Sequence, residues 1–215
     1  MNKPKSIWPT VGFIIVFAAI WTFRATVFYK YFDVALPNAI WRQIASDVIK
    51  FLIWVVPVFL WLRFVDHEKP LRYVGLTSRP NWPETGGIAV LIMTYYTGVA
   101  LLLPHLNIPG LAGMKLALIA LPFTPILEEI LFRGFLLIKL REHMPFWAAN
   151  IITSLLFVLT HWPYWLYFVG FRANIIYTSI ALMALSLILG IVRQRTNSLL
   201  PPILLHLTNN FVALL

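Results

Sequence analysis

A series of apolar runs, each long enough to cross a bilayer, most strongly limits what this chain can fold into. A membrane-spanning helix needs about 20 largely apolar residues. Seven segments have about this length, at residues 7–28, 44–65, 86–106, 113–140, 146–162, 173–192 and 199–215. We therefore expect an all-α fold, a polytopic transmembrane helical bundle of about seven membrane helices.

The composition agrees with a membrane protein and argues against other classes. Hydrophobic residues make up 60% of the 215 positions and charged residues only 12%, whereas soluble domains contain about 25% charged residues. The chain has no cysteine, which excludes disulfides and thiolate metal sites. Neither a repeat nor a second domain is visible. We expect one integral membrane domain over 1–215, with a motif-bearing catalytic core over about 113–215.

The basic residues predict the orientation of the chain. The N-terminus and the connections after the second, fourth and sixth segments hold Lys3, Lys5, Arg63, Lys69, Arg72, Arg79, Lys139, Arg141, Arg193 and Arg195. The opposite connections hold Arg24, Lys30, Arg42, Lys50, Lys115 and Arg172. Because short cytoplasmic loops are enriched in Lys and Arg, the excess predicts a cytoplasmic N-terminus. No basic face in a soluble segment accompanies the formal net charge of +9, so we expect no nucleic-acid partner.

The second segment has the weakest apolar character. Asp47 and Lys50 lie three residues apart near its start, where they can pair on one helix face. Pro57 interrupts the same segment. The hydrophilic connection that follows, residues 66–82, is predicted to be a surface loop or a short interfacial helix.

Three charged residues inside the fourth segment require an explanation. Placing an ionisable group at membrane depth costs at least ~2.5–3.5 kcal/mol, yet Glu128, Glu129 and Arg133 lie within six residues. Glu129 and Arg133 are four apart in the favourable order, so we predict an ion pair between them. Glu128 is rotated by about 100° and has no partner on its own helix. It is therefore a candidate general base, and Pro122 and Pro125 just before it could open room for water.

Two later segments contribute further polar groups. His161 follows Phe157 by four residues, and Asn210 follows His206 by four residues, so each pair shares a helix face. A carboxylate beside an imidazole can deprotonate water, and a second imidazole with an amide can donate hydrogen bonds to an oxyanion. Such a set suffices for amide hydrolysis without a covalent nucleophile.

Structural explanations of the same residues remain open. A single histidine in a membrane helix often serves as a hydrogen-bond partner between helices, and His161, next to Trp162 and Pro163, also fits an interfacial anchor. The cluster of two glutamates and Arg133 fits a purely structural network as well.

The three patterns together resemble a known family. Glu128-Glu129-x-x-x-Arg133 within EEILFRGFL resembles the first motif of the CPBP family, which comprises type II CAAX prenyl proteases and bacteriocin-processing or self-immunity (Abi) proteins. Phe157-x-x-x-His161 resembles the second motif and His206-x-x-x-Asn210 the third, in the same order. The resemblance covers about residues 121–215.

The resemblance implies an intramembrane endopeptidase with defined residue roles. Glu128 and His161 would activate water, His206 and Asn210 would form the oxyanion hole, and Glu129, Arg133 and Phe157 would support the site. The family suggests a glutamate-type mechanism without a cofactor. Zinc is the alternative, since one Glu and two His, here Glu128, His161 and His206, can bind it with one position open.

These expectations define three classes of function. The first is an endopeptidase that cleaves a peptide or a membrane-anchored protein in the bilayer, in the cell membrane of a prokaryote. The second is a non-catalytic immunity or peptide-binding protein of the same family. The third is a small transporter or proton relay, because buried carboxylates and histidines also serve that role, although no inverted repeat is visible.

Overall fold

The computed structural model describes residues 6–28, 31, 35–36, 38–80, 83, 86–87, 123–171 and 173–212. Throughout these ranges the regular structure is helical, and no strand occurs in them. This agrees with the all-α fold predicted from the apolar runs.

The helices of the first half are short or interrupted. They are α1 (Trp8–Phe23), which continues as a π-helical turn over Arg24–Phe28, α2 (Ala39–Trp54), α3 (Val56–Leu60), which continues as a π-helical turn over Trp61–Val65, and α4 (Pro70–Tyr73). Asn38 caps α2, because its side-chain oxygen accepts hydrogen bonds from the backbone of Ile40 and Trp41. The break at Val55, with Pro57 just inside α3, is the predicted interruption.

The second half carries all three motifs. Its helices are α5 (Phe123–Glu129), which passes through a π-helix over Ile130–Leu136 into α6 (Leu137–Arg141), α7 (Phe146–Leu159), α8 (Trp162–Tyr164), which continues as a π-helical turn over Trp165–Val169, α9 (Ala173–Thr196) and α10 (Leu200–Val212).

Four helical stretches of the described residues are long and apolar enough to cross a membrane. They are Trp8–Phe28, Ile40–Val65, Phe146–Phe168 and Ile175–Thr196, which correspond to the first, second, fifth and sixth predicted segments. Beyond Gly86 and Gly87, the third predicted segment lies outside the described residues, and so does the beginning of the fourth. The seventh is present as α10, which is shorter than a full span in its described part. The predicted count of seven is therefore not established, and the described residues provide four candidate spans.

The exposed faces of these helices are apolar. Ile15, Ile180 and Phe64 are each more than 60% exposed. Such side chains on the flank of a bundle require a lipid environment. The protein is an integral membrane protein.

The connections predicted to share one side of the membrane meet at one end of the bundle. Ile7 packs with Leu140 and Ala149, which joins the start of α1 to the end of α6. The Lys139 ammonium lies 2.8 Å from Asp66, which brings in the end of α3. We call this region the basic end, because Arg63, Arg72, Arg141, Arg193 and Arg195 lie in or beside it.

A close approach between α7 and α9 depends on a glycine. The Asn150 side chain donates to the backbone carbonyl of Leu187 at 3.1 Å. A Cβ at Gly190 would lie only 1.8 Å from Asn150 Oδ1, so the hydrogen bond forms because position 190 has no side chain. Small residues and interhelical hydrogen bonds are the usual means by which membrane helices associate.

We expect Gly190→Ala to destabilise the protein by about 1–3 kcal/mol, because the added methyl group overlaps Asn150. The double variant Asn150→Ala/Gly190→Ala should recover part of this loss. Gly12→Ala is the matched control, since a Cβ at Gly12 in α1 meets nothing within 4 Å. Thermal unfolding in detergent tests this, and equal melting temperatures for the two glycine variants would refute it.

Candidate active site

Both glutamates of the first motif are buried where the helix changes its geometry. Glu128 is 5% exposed and Glu129 is fully buried at the end of α5, and the π-helix Ile130–Leu136 follows at once. A π-helical stretch inside an α-helix often marks a functional site, since it re-aims side chains and loosens the backbone hydrogen-bond ladder. Pro125, one turn before Glu129, is also buried.

Glu129 and Arg133 form the predicted ion pair. Arg133 Nη1 donates to Glu129 Oε1 at 2.7 Å, and both side chains are almost entirely buried. The second guanidinium nitrogen of Arg133 donates to the backbone carbonyl and the hydroxyl of Ser186 in α9, at 3.0 and 2.6 Å. The pair therefore connects the motif helix to α9.

His206 lies between the two glutamates. Its Nδ1 is 2.8 Å from Glu129 Oε1 and its Nε2 is 3.6 Å from Glu128 Oε2. Because Glu129 is paired with Arg133, its carboxylate is an acceptor and Nδ1 of His206 must donate. The Nε2 atom then points toward Glu128, and it becomes a donor when the ring is doubly protonated.

A lysine from the first half of the chain completes the cluster. Lys50 Nζ in α2 donates to Glu128 Oε1 at 2.5 Å. The ammonium also lies over the Trp54 ring, 4.5 Å from its centroid. The predicted pairing of Lys50 with Asp47 is not the one formed, because Asp47 accepts from Gln43 one turn earlier.

His161 is oriented at the end of α7. Its Nδ1 lies 3.0 Å from the backbone carbonyl of Phe157, and since a carbonyl only accepts, Nδ1 donates and Nε2 is left free. The turn is held by Trp21 of α1, whose indole donates to the carbonyl of Thr160 at 2.8 Å. His161 makes no direct hydrogen bond to Glu128, but the two groups lie within range of electrostatic interaction.

The ring of Phe157 packs against residues of the candidate site. It is fully buried, and its centroid lies 5.2 Å from that of His161 and 5.8 Å from that of His206. The guanidinium of Arg133 lies 4.8 Å from the same ring. One side chain of the second motif therefore contacts residues of all three motifs.

Asn210 lies one turn after His206 on α10. Its side-chain oxygen accepts from the Asn209 amide at 3.2 Å. This bond turns the donating end of the Asn210 amide away from Asn209. Asn209, which has no evident role in the sequence, thus has a partner in the structure.

The residues that zinc would require do not fit a metal ion. A cation already contacts Glu128, because the Lys50 ammonium lies 2.5 Å from its Oε1. Nowhere in the described ranges do three His, Asp or Glu side chains have a metal-holding arrangement.

Sequence reasoning missed the contribution of the first half of the chain. Lys50 contacts Glu128 across 78 positions, and Trp21 and Trp54 surround the site from α1 and α2. A signal for Lys50 was present, because a lysine within an apolar segment carries the same insertion cost as the glutamates. Because Asp47 lies only three residues away, the spacing favours a local pair between Lys50 and Asp47 instead of the contact with Glu128.

Comparisons with known proteins match the motif-bearing half to a family and about three quarters of the chain to a relative. Residues 110–212 match the family described as Type II CAAX prenyl endopeptidase Rce1-like. The chain is also 30% identical, over 180 residues and 76% of each chain, to an uncharacterized 24.3 kDa protein of Escherichia coli. No solved structure matches it. Because it matches the Rce1-like type II CAAX prenyl endopeptidases, the chain belongs to the CPBP family of membrane proteins.

Proposed function

We propose that this protein is an intramembrane endopeptidase that hydrolyses a peptide bond with water activated by Glu128. The observation that carries the proposal is the convergence of Glu128 with two histidines. His206 has its Nε2 3.6 Å from Glu128 Oε2, and His161 has its Nδ1 engaged by Phe157, so that its Nε2 is available. A cluster this polar inside an apolar bundle is expensive, and catalysis is a reason for its presence.

Glu128 is the proposed general base. Its Oε1 is held by Lys50, and its Oε2 lies on the side of His206. Glu128 would take a proton from water as the water oxygen attacks the carbonyl carbon, with His161 orienting that water. The C–N bond then breaks, and the proton passes from Glu128 to the departing amine.

His206 and Asn210 are the proposed oxyanion donors. Glutamate oxygens lie 2.8 Å from Nδ1 and 3.6 Å from Nε2 of His206, and in the doubly protonated ring Nε2–H would be the donor to the oxyanion. The Asn210 amide, on the same helix face, would supply the second hydrogen bond to the oxyanion. Removal of one such donor typically costs 10²–10³-fold in rate.

Glu129, Arg133 and Lys50 are proposed as positioning residues. Glu129 and Arg133 hold the His206 ring in one orientation and attach it to α9. Lys50 keeps Glu128 ionised in an apolar environment and fixes one of its oxygens, so that the other is directed to water. This role for Lys50 depends on the proposed hydrolysis.

The proposed substrate is a peptide or a membrane-anchored protein that reaches the site from the bilayer, in the cell membrane of a prokaryote with the N-terminus in the cytoplasm. The family description makes a C-terminal CAAX sequence the first substrate to test. The competing function, a non-catalytic immunity or peptide-binding role, would use the same polar cluster without bond cleavage.

We expect Glu128→Gln to reduce hydrolysis by at least about 10²–10⁴-fold, because the amide cannot take the proton of water. The assay uses the purified chain in liposomes with quenched-fluorescence CAAX peptides, with and without a prenyl group. Exposed Glu68→Gln controls for the loss of a negative charge. Cleavage by Glu128→Gln at the parental rate would favour the non-catalytic function.

We expect Lys50→Met to lower the rate by roughly 10–150-fold, since hydrogen bonds to charged groups contribute about 1.5–3 kcal/mol. Lys50→Arg should retain more activity because it keeps the charge. Asp47→Asn is the matched control, three residues earlier on α2 and bonded to Gln43 instead. If Lys50→Met and Asp47→Asn behaved alike in the same peptide assay, Lys50 would have no part in the reaction.

We expect hydrolysis to continue unchanged in the presence of a strong chelator. The Lys50 ammonium stands beside Glu128 where a metal ion would have to bind. Elemental analysis of the purified protein should give far less than one zinc per chain. Loss of activity with the chelator, followed by recovery on addition of Zn²⁺, would contradict the metal-free mechanism.

A further inference from the structure

A polar cavity lies at the basic end, apart from the glutamates. It has a volume of about 610 Å³ and is formed by α4, α6, α9 and the residues that follow α4 and α9. Its polar lining comes from Arg72, Tyr73, Ser78, Arg141, Arg193, Gln194 and Asn197, and within it Arg141 donates a hydrogen bond to Gln194. Glu128 precedes Arg141 by 13 positions along the motif helix, so the cavity is separate from the proposed active site.

Three arginines converge in this cavity without acidic residues. No Asp or Glu of the described chain lines it. Arg141 and Arg193 are close enough to act on each other electrostatically, and like charges repel. The nearest carboxylate along the chain, Glu142, is occupied by the Tyr73 hydroxyl at 2.9 Å and Lys139 at 3.0 Å. Burial and Glu142 raise the pKa of Tyr73, so its phenol remains neutral.

The cavity is lined by the buried guanidinium of Arg193. It is only 6% exposed, and its Nε makes no hydrogen bond. Room for it depends on Gly75, where φ is +86° and an added Cβ would lie 2.8 Å from Arg193 Nη2. A buried guanidinium donor without a partner is uncommon, because leaving it unsatisfied costs free energy. Arg193 lines the cavity, so an anion bound there would offset the charge of this guanidinium.

We propose that this cavity binds the phosphate group of an anionic phospholipid in the leaflet that the positive-inside bias predicts to be cytoplasmic. Basic pockets between helices on that side are suited to lipid head groups. Arginine binds phosphate through several donors at once, whereas lysine offers a point charge. This binding does not depend on the proposed proteolysis.

The surroundings of the cavity favour a lipid over a soluble phosphate compound. Leu71, next to Arg72, is 51% exposed, and Trp147 at the start of α7 is 59% exposed. Arg141 also lies over the ring of Phe146, 5.8 Å from its centroid. Exposed apolar and aromatic groups beside arginines are typical of the membrane interface. They would lie against acyl chains while the phosphate enters the cavity.

The test compares two double variants of the full chain that lose the same charge. Arg72→Gln/Arg141→Gln removes two exposed arginines of the cavity, and Arg63→Gln/Lys69→Gln removes two exposed basic residues of the same end outside it. Native mass spectrometry in neutral detergent measures binding of phosphatidylglycerol and of zwitterionic phosphatidylcholine. Melting temperatures establish that both variants are folded.

We expect the parent to bind phosphatidylglycerol at least about tenfold more tightly than phosphatidylcholine. The cavity variant should lose about tenfold or more in phosphatidylglycerol affinity, given the contribution of each basic residue to binding an anionic head group. The control variant should remain within about twofold of the parent.

Three results would overturn the proposal. The first is an equal loss of affinity in both double variants, which would indicate general surface attraction. The second is binding of inorganic phosphate that depends on Arg72 and Arg141 without binding of the lipid. The third is displacement of the lipid by a peptide with a free C-terminal carboxylate that itself binds the cavity, which would assign the cavity to a peptide end.

Discussion

The burial of two consecutive carboxylates on one helix determines how this bundle is assembled. Removing an ion from water costs several kcal/mol even after relaxation, so each carboxylate needs compensating partners. Glu129 has Arg133 and His206, and Glu128 has Lys50. These partners come from the motif helix, from α10 and from α2. Compensation of the two charges therefore fixes three helices relative to one another, and the Arg133 contacts to Ser186 add α9.

The two glutamates are held in different ways, and this difference suits the separate roles proposed for them. Glu129 shares one oxygen between a guanidinium and an imidazole and is fully buried. Such a group is rigid and suited to orienting others. Glu128 has one oxygen held by Lys50 at 2.5 Å, while its other oxygen is 3.6 Å from His206. That looser contact leaves Glu128 the better placed of the two to meet water.

Much of the fold follows from the sequence because the bilayer imposes a length on each span. The first, second, fifth and sixth segments appear within a few residues of their expected bounds. The ion pair of Glu129 and Arg133 was also predictable, because a spacing of four residues places two side chains on one face of a helix. The role of His206 as a bridge between the glutamates was not, because a contact over 77 positions depends on how helices pack.

The case of Lys50 shows why local spacing misleads in a membrane chain. Asp47 and Lys50 have a spacing that suits a pair on a soluble helix, where the alternative partner is water. Inside a bundle the alternative partner for a lysine is another buried charge. Lys50 pairs with the buried carboxylate of Glu128 rather than with Asp47 near the start of its own helix. Asp47 meanwhile has a neutral partner in Gln43. Partners for charges within apolar segments are therefore better sought across the whole chain, because each such charge must offset its insertion cost. By that criterion the half of the chain without motifs contributes Lys50 to the site.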